Sequence, residues 1–379
     1  MTGSALAPAV SISQRHLPAE LLARALTGDL SWVTTEPWEV SALVRSAEHH
    51  GISSLLWDTL HADRNRPHGL VEQLAARVHA DIAREAFRIR DLARVMSALD
   101  KRKVPALLMK GAALAYSAYP QPWLRPRTDT DLLVARESVG AASDVFRSLG
   151  YVPSEALSTG ELVSHQVAFE RRDEHGVTHV IDLHWKIANP QVLANVLPFA
   201  DVWADSHVIV RDSLTARVPS PIWSLLIACV HRLAHHQDQE RLVWLYDMGL
   251  LVRPFRDADW TACVSLAHAH GVGAVCAHGL EAASRLLNVR IPAAVLTALD
   301  ADREGEASRV YTERQRRKLD VLCDDLRRLS WSDRVVLLRE HAFPPASFMM
   351  SRYALHQRTW LPAFYIHRLV SGAWKWLRA

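Results

Sequence analysis

The chain has 379 residues, a hydrophobic fraction of 49% and a formal net charge of +3 at pH 7. This length allows two or three structural units, and the hydrophobic fraction is ordinary for a globular protein. The small net charge does not indicate a protein that coats a polyanion, although a local basic patch is compatible with it. No apolar run approaches the roughly 18 residues of a membrane span, so no transmembrane segment is expected.

The compartment is indicated by the cysteines and by the first residues. The chain begins MTGSALAPAVSISQRH, which lacks the basic and apolar stretches of a secretory signal. Four widely spaced cysteines form no metal-binding motif and are expected to be reduced thiols, mostly buried in helices: Cys229, Cys263, Cys276 and Cys323. A cytoplasmic location is therefore expected, and the excess of arginine over lysine, together with the abundant alanine, suggests a bacterial source.

Residues 1–100 are predicted to be helical. A first helix opens at Pro18 and is closed by Gly28, a second spans residues 37–50, and a long third helix spans residues 69–100. The third helix carries apolar residues at spacings of three to five, and its other face is polar. That polar face is expected to be solvated, and it contains Arg77, Asp81, Arg84 and Glu85.

Residues 101–220 combine short strands with helices. Single strands are predicted at VPALLM and TDLLVA, with a helix from Ser138 that ends at Gly150. Paired strands HQVAFERR and HVIDLHW flank a turn at Gly176, and the segments SHVIVR and LTARVP are further strand candidates. This mixture indicates an α+β or α/β unit.

Residues 221–379 are again helical by their apolar periodicity. Helices are predicted at PIWSLLIACVHRLAHH, RLVWLYDMGLLV, DWTACVSLAHAHG and VGAVCAHGLEAASRLL, and further along at 309–329, 331–340 and 350–377. The chain is thus expected to contain an N-terminal helical region (1–100), an α/β core (101–220) and a C-terminal helical domain (221–379).

Three aspartates are the main candidates for chemistry. Asp129 and Asp131 stand at the start of the strand TDLLVA, and residues two apart in a strand point to the same face. Asp182 interrupts the apolar strand HVIDLHW, where an unpaired carboxylate is costly to bury. Hard cations such as Mg²⁺ prefer carboxylate oxygens, so the three side chains are expected to hold metal.

A candidate phosphate site lies just upstream. Lys110 and Gly111 stand where an apolar strand passes into a helix, and the free N–H groups and the dipole of a helix N-terminus favour phosphate. Arg125 and Arg127, just before the aspartates, are candidates either to clamp triphosphate oxygens or to pair with carboxylates.

The run KGAALAYSAYPQPWLRPRTDTDLLV followed by IDLHW resembles the uncharacterised nucleotidyltransferase family of the polymerase-beta-type superfamily. The segments HRLAHH, RLVWLYDMGLLV and HAFPPASFMMSRY are also similar to that family. The resemblance covers roughly residues 90–370. It implies an α+β fold, with the minimal nucleotidyltransferase mixed β-sheet core flanked by helices and with helical regions at both ends.

By motif position, the resemblance makes Asp129 and Asp131 the paired metal-binding aspartates. Asp182 becomes the third carboxylate, which shares a metal and activates the acceptor hydroxyl. Gly111 corresponds to the glycine of a Gly-Ser phosphate turn, but Ala112 replaces the serine and removes one hydroxyl donor. The nucleotide-contacting residues expected from the turn and the arginine loop are Lys110, Gly111, Ala112, Arg125 and Arg127.

The function implied is an enzyme that depends on Mg²⁺ or Mn²⁺ and transfers a nucleoside monophosphate from an NTP to a hydroxyl group, with release of pyrophosphate. The acceptor is a small molecule, sugar, peptide or protein, and the small net charge argues against a long nucleic acid. The alternative is a catalytically degenerate nucleotide-binding, sensing or scaffold protein on the same fold, which Ala112 in the phosphate turn motivates.

For four further polar residues the sequence allows either a functional or a structural role. His231 and His235 are four apart on a helix, a spacing that can bind zinc, although a packing or substrate-facing role is favoured because no HExxH motif is present. Asp247 is expected to pair with one of these histidines or with Arg241. His184 shares a strand face with Asp182, and either an active-site role or a buried structural role is open.

Overall fold

The computed structural model describes residues 17–32, 37–61, 69–154, 162–236, 241–301, 305–312 and 318–378. The N-terminal region forms four helices: α1 (Ala19–Leu26), α2 (Pro37–His50), α3 (Ser53–Leu60) and α4 (Leu70–Lys101). The three predicted helices are confirmed. Helix α3 was not predicted, because it is a single short apolar segment that follows Gly51 too closely for its periodicity to be read.

The central sheet has five strands: β1 (Ala106–Leu108), β2 (Thr130–Val134), β3 (Val152–Pro153), β4 (Gln166–Arg172) and β5 (Thr178–His184). Their order is β1-β2-β5-β4-β3, and β2 and β5 run parallel while the other neighbouring pairs are antiparallel. Helix α5 (Lys110–Ser117) follows β1, and α6 (Val139–Ser148) follows β2. The predicted mixed sheet flanked by helices is therefore confirmed.

The rest of the described chain is mainly helical. Short helices α7 (Gln191–Ala194) and α8 (Phe199–Ala204) precede a separate hairpin of β6 (Ser206–Arg211) and β7 (Leu214–Pro219). The helices that follow are α9 (Pro221–His236), α10 (Leu242–Val252), α11 (Asp257–Ala269), α12 (Gly273–Leu287), α13 (Ala293–Asp300), α14 (Lys318–Arg328), α15 (Trp331–Ala342), α16 (Ala346–Arg352) and α17 (Leu361–Arg378).

Most of the C-terminal helices agree with the apolar periodicity. The short helices α7 and α8 and the helix α13 were not predicted, and the predicted helix over 350–377 is divided into α16 and α17. Among the described helices, none has the length and apolar character required to cross a membrane.

Two apolar clusters hold these elements together, and the long helix α4 contributes to both. Its first turns place Leu70 and Leu74 in a large cluster formed with the N-terminal and C-terminal helices. Its last turns place Val95 and Leu99 in a second cluster beneath the sheet and α6. Helix α4 therefore ties the helical regions to the sheet, since burial of its apolar side chains stabilises both contacts.

The polar face of α4 is solvated only in part. Arg77 and Arg84 are exposed as predicted, whereas Asp81 and Glu85 are buried and hydrogen-bonded. Glu85 accepts hydrogen bonds from the Tyr116 hydroxyl at 2.6 Å and from Arg127 Nη2 at 2.9 Å. The prediction was wrong for these two carboxylates, because partners such as Tyr116 and Arg127 come from distant segments of the chain and satisfy a carboxylate that is buried.

Phe146 provides a test of the cluster beneath the sheet. Its side chain is fully buried between the rings of Tyr151 and Phe169. We expect Phe146→Ala to lower the free energy of unfolding by about 3–5 kcal/mol, because the loss of buried area leaves a cavity. Urea denaturation measures the change. The exposed Phe343 is the control, and Phe343→Ala is expected to change stability by no more than about 0.5 kcal/mol. Equal losses in the two variants would contradict the assignment of this core.

Candidate functional site

The sheet brings two aspartates side by side. Strands β2 and β5 are parallel neighbours, and their register pairs Asp131 with Asp182. Because directly paired residues of adjacent strands point to the same face, the two carboxylates converge on one spot. His184 follows Asp182 by two residues and lies on that same face. Asp131 and Asp182 are far apart in the sequence, and they meet because β5 lies next to β2 in the sheet.

Asp131, Asp182 and His184 form a candidate metal centre. One ligand atom from each of them lies within 4.8 Å of the others, and this is the one group of its kind among the residues that the structure describes. Nε2 of His184 lies 2.8 Å from Oδ1 of Asp131. The donor set fits a divalent cation, because carboxylate oxygens suit Mg²⁺ and Mn²⁺ and a neutral imidazole also binds transition metals.

Asp129 lies in the loop directly before β2 and is partly exposed. It is not a member of the close group, although its charge helps to raise the pKa of Asp182. Burial and the neighbouring charge of Asp131 raise the pKa of Asp129 itself. Its role as a metal ligand therefore remains a prediction, and the geometry supports it less directly than it supports Asp131 and Asp182.

Lys110 supplies positive charge to the same spot. Its Nζ lies 2.7 Å from Oδ1 of Asp131 and 3.4 Å from Nε2 of His184. Lys110 is also the first residue of α5 and has a φ of 54°, in the left-handed region that residues other than glycine rarely adopt. Such backbone strain is common at functional sites, where the surrounding contacts hold a side chain in place.

The charges and the burial of this site shift the pKa values of its titratable groups in different directions. Burial alone would raise the pKa of Asp131, but the Lys110 ammonium and the hydrogen bond with His184 lower it well below its ordinary range. Burial and then the charge of Lys110 lower the pKa of His184 to about 4, so its imidazole is neutral at pH 7. Burial, reinforced by the charges of Asp131 and Asp129, raises the pKa of Asp182 to about 7.

Arg125 is buried and bound to Asp247 of α10. Its Nη2 lies 2.8 Å from Asp247 Oδ2, and its Nε donates to Oδ1 at 2.9 Å. The Tyr119 hydroxyl donates to Oδ1 of the same carboxylate at 2.7 Å. Of the two roles expected for Arg125, pairing with a carboxylate is therefore seen. Asp247 is thus part of a buried polar pair, but with Arg125 in place of Arg241, because the tertiary fold brings Arg125 closer.

Arg127 is almost completely buried, with 3% of its side chain exposed. Its Nη2 donates to the Tyr116 hydroxyl at 2.6 Å as well as to Glu85 at 2.9 Å. Its Nε and Nη1 have no hydrogen-bond partner within the described part of the chain. A buried guanidinium with unused donors is costly, so an anionic ligand nearby would stabilise it.

These groups surround one cavity of about 470 Å³. Every residue predicted for the site lines it: Lys110, Gly111, Ala112, Arg125, Arg127, Asp129, Asp131 and Asp182. The opposite walls come from the helical regions and include Arg77, Asp81, Arg84, His231, Trp244 and Asp247. The cavity therefore joins the sheet to helices from both ends of the chain.

Some lining residues were not predicted for the site. Gln166 of β4 donates from Nε2 to Asp182 Oδ2 at 3.2 Å, and the pairing of β4 with β5 was the signal that placed it nearby. Arg77, Asp81 and Arg84 of α4 also line the cavity; the two arginines are exposed, as predicted for a solvated face, and Asp81 is buried. His231 lines the cavity, whereas the side chain of His235 lies outside the described residues, so the two-histidine zinc site stays untested.

Comparison with known proteins gives a family match and similarity to solved structures. The sequence profile of a family described as uncharacterised nucleotidyltransferase matches residues 36–288. Among solved structures, the chain is similar to an antigenic nucleotidyltransferase-like protein from Paracoccidioides brasiliensis. That similarity has 13% identity and a TM-score of 0.34, and it covers 55% of this chain and 94% of the other. No protein of curated function matches the chain.

The raised pKa of Asp182 predicts a dependence of stability on pH. The folded protein keeps this proton up to about pH 7, whereas the ordinary value for an aspartate is 3.8. Between these values the folded state binds more protons than the unfolded state, so the free energy of unfolding falls as pH rises. Asp182→Asn cannot ionise and escapes this loss.

We therefore expect the stability of Asp182→Asn relative to the unsubstituted protein to grow from about pH 4 to about pH 7, by at most about 1.4 kcal/mol per pH unit, and to stay constant above. Urea denaturation without divalent cations at a series of pH values measures the difference. A difference that does not change with pH would show that the pKa of Asp182 is not raised in the folded protein.

Proposed function

Because the chain belongs to the uncharacterised nucleotidyltransferase family, we propose that it transfers a nucleoside monophosphate from an NTP to a hydroxyl group. In this reaction a hydroxyl oxygen of the acceptor forms a bond to the α-phosphorus and loses its proton. The bond between the α-phosphorus and the bridging oxygen breaks, and pyrophosphate leaves. The observation that carries the proposal is the pairing of Asp131 with Asp182 in one cavity with Lys110 and Gly111.

Asp131, Asp182 and His184 are proposed to hold the divalent cation, Mg²⁺ or Mn²⁺, with Asp129 as a further ligand. Such a cation neutralises charge on the phosphates and orients the attacking and leaving oxygens. The residues fit this role because they bring ionised oxygen donors and a neutral imidazole within 4.8 Å of one another. Burial and then the negative charges of Asp131 and Asp129 raise the pKa of Asp182 to about 7, and a bound cation would offset both effects.

Asp182 is also the proposed acceptor of the hydroxyl proton. It is half-buried and lines the cavity, and the burial and neighbouring carboxylates that raise its pKa also make it a stronger base than an ordinary aspartate. Gln166 donates to one of its oxygens and fixes the orientation of the carboxylate. Asp131 is a poorer candidate, because Lys110 and His184 hold it in the ionised form.

The triphosphate is proposed to lie along the start of α5. The backbone N–H groups of the first turn of a helix have no intrahelical acceptor and favour anions. Gly111 and Ala112 belong to this turn, and Lys110 precedes them with an ammonium group that is proposed to turn from Asp131 to a phosphate when the nucleotide binds. Arg125 and Arg127 add guanidinium groups to the same cavity.

The acceptor is proposed to be a small molecule, a sugar or a hydroxyl side chain of a peptide or protein. A cavity of about 470 Å³ that also holds a nucleotide leaves little room, so a larger acceptor would present only its reacting group. A long nucleic acid is not proposed, because the net charge of +3 provides little attraction for a phosphate backbone.

All four cysteines are free thiols, which supports a reducing cytoplasmic setting.

A second candidate is a nucleotide-sensing or scaffold protein that keeps the fold without turnover. Two observations favour it. Ala112 offers no side-chain donor to a phosphate, and the ammonium of Lys110 already neutralises Asp131 at 2.7 Å. Calorimetry with a non-hydrolysable NTP and Mg²⁺ separates the candidates: binding without label transfer to any of a diverse set of acceptors would support the sensor.

The transfer reaction is tested with radiolabelled NTPs, Mg²⁺ and a panel of hydroxyl acceptors. We expect the double variant Asp129→Ala, Asp131→Ala to lower the transfer rate by about 10³-fold or more, because loss of a metal site removes several kcal/mol of transition-state stabilisation. The matched control is Asp144→Ala, since Asp144 lies on α6 with 80% of its side chain exposed. Transfer that survives the double substitution would disprove the assignment.

A further inference from the structure

The buried contact between Arg125 and Asp247 joins two distant parts of the chain. Arg125 lies in the loop before β2, and Asp247 lies 122 residues later in α10. Two guanidinium nitrogens bind the two carboxylate oxygens at 2.8–3.0 Å, and both side chains are at least nine-tenths buried. A planar guanidinium that donates two hydrogen bonds to one carboxylate has its orientation fixed as well as its position.

The fixed guanidinium lies across the start of α5. A Cβ atom added to Gly111 would lie 3.1 Å from Nη2 and 3.2 Å from Cζ of Arg125. A side chain at position 111 would push the guanidinium back by a few tenths of an ångström, so the glycine lets Arg125 lie directly against the second residue of the helix. The cation and the free N–H groups of the first turn are thus side by side, and both attract anions.

Arg125 still has donors to offer in this position. A guanidinium has five N–H groups. One Nε–H and one Nη2–H point to Asp247, and one Nη1–H donates to the carbonyl oxygen of Pro126 at 3.0 Å. One N–H group on each terminal nitrogen remains. Two such groups in one plane match two oxygens of a phosphate, and Arg125 lines the cavity that contains Asp129 and Asp131.

We propose that Asp247 is a positioning residue for the nucleotide: from α10 it holds Arg125 over Gly111, so that the remaining N–H groups of Arg125 bind the triphosphate at the start of α5. The C-terminal helices thereby complete the phosphate subsite of the sheet. Tyr119 supports the arrangement by donating to the same carboxylate. This role rests on the proposed nucleotidyl transfer, because it assigns the triphosphate of that reaction to this end of the cavity.

The probe is inorganic triphosphate with Mg²⁺, which avoids any assumption about the base, and its affinity is measured by calorimetry. We expect Arg125→Met and Asp247→Asn each to weaken binding by about tenfold or more, because a charge-assisted hydrogen bond is lost or misdirected. In the double variant we expect no further loss beyond that of Arg125→Met. This non-additivity distinguishes a residue that acts through Arg125 from one that merely stabilises the fold.

The chain offers a closely matched control in Asp91. This buried carboxylate likewise binds an arginine, Arg171, and the hydroxyl of a tyrosine, Tyr151, but none of the three lines the cavity. We expect Asp91→Asn to lower the urea midpoint and to leave triphosphate affinity unchanged. Tyr119→Phe keeps the ion pair, so it remains informative if Asp247→Asn does not fold, and it should weaken binding about two- to threefold.

The outcomes separate this inference from the proposed function. Additive effects of the Arg125 and Asp247 substitutions, or unchanged triphosphate affinity in folded Asp247→Asn or Tyr119→Phe, would overturn the role of Asp247 even if labelled NTP is transferred. A non-additive cycle would support it even if no acceptor is labelled. An unsubstituted protein that binds no inorganic triphosphate would overturn the role of Asp247, whereas the proposed function is overturned by the absence of label transfer.

Discussion

Repulsion between two carboxylates that lie side by side on neighbouring parallel strands is the constraint on which this site depends. Pairing Asp131 with Asp182 places two like charges together in a half-buried space, and this is unfavourable unless cations or protons compensate them. The ammonium of Lys110 compensates the charge of Asp131 directly. Asp182 has no such partner in the described ranges of the chain, and burial together with the charges of Asp131 and Asp129 raises its pKa to about 7. The strained backbone at Lys110 and the neutral imidazole of His184 are both consistent with a site arranged around this charge.

Buried carboxylates of the surrounding helices are compensated by arginines. Glu85 of α4 binds Arg127, and Asp247 of α10 binds Arg125, so the two arginines of the loop before β2 are each held by a helix from a different end of the chain. Buried ion pairs contribute little net stability, because desolvation offsets much of the attraction. Their value here is orientation, since they present guanidinium groups to a cavity whose other side is acidic. The helical regions are thus part of the site.

Local patterns predicted most of the elements and several of the site residues. Period-two segments gave β4 and β5 with their turn at Gly176, and helical periodicity gave α4 and α9–α12. The strand-to-helix turn at Lys110 and the spacing of Asp129 and Asp131 are features of adjacent residues, so they were visible without a structure. The short helices α3, α7, α8 and α13 were missed, since segments of so few turns give too weak a periodic signal.

The sequence by itself determined that a pair of aspartates at the start of one strand, an aspartate within another, a Lys-Gly turn and an arginine loop belong to a nucleotidyltransferase core. Each of these motifs consists of neighbouring residues and matches a known family. Only the tertiary structure decided which charges meet. The buried face of α4 looked like a solvated stripe, and Asp247 seemed to have partners within its own region, because periodicity records which residues are polar but not what approaches them. The parallel pairing of β2 and β5, which brings His184 to Asp131, is likewise a long-range contact that no local pattern encodes.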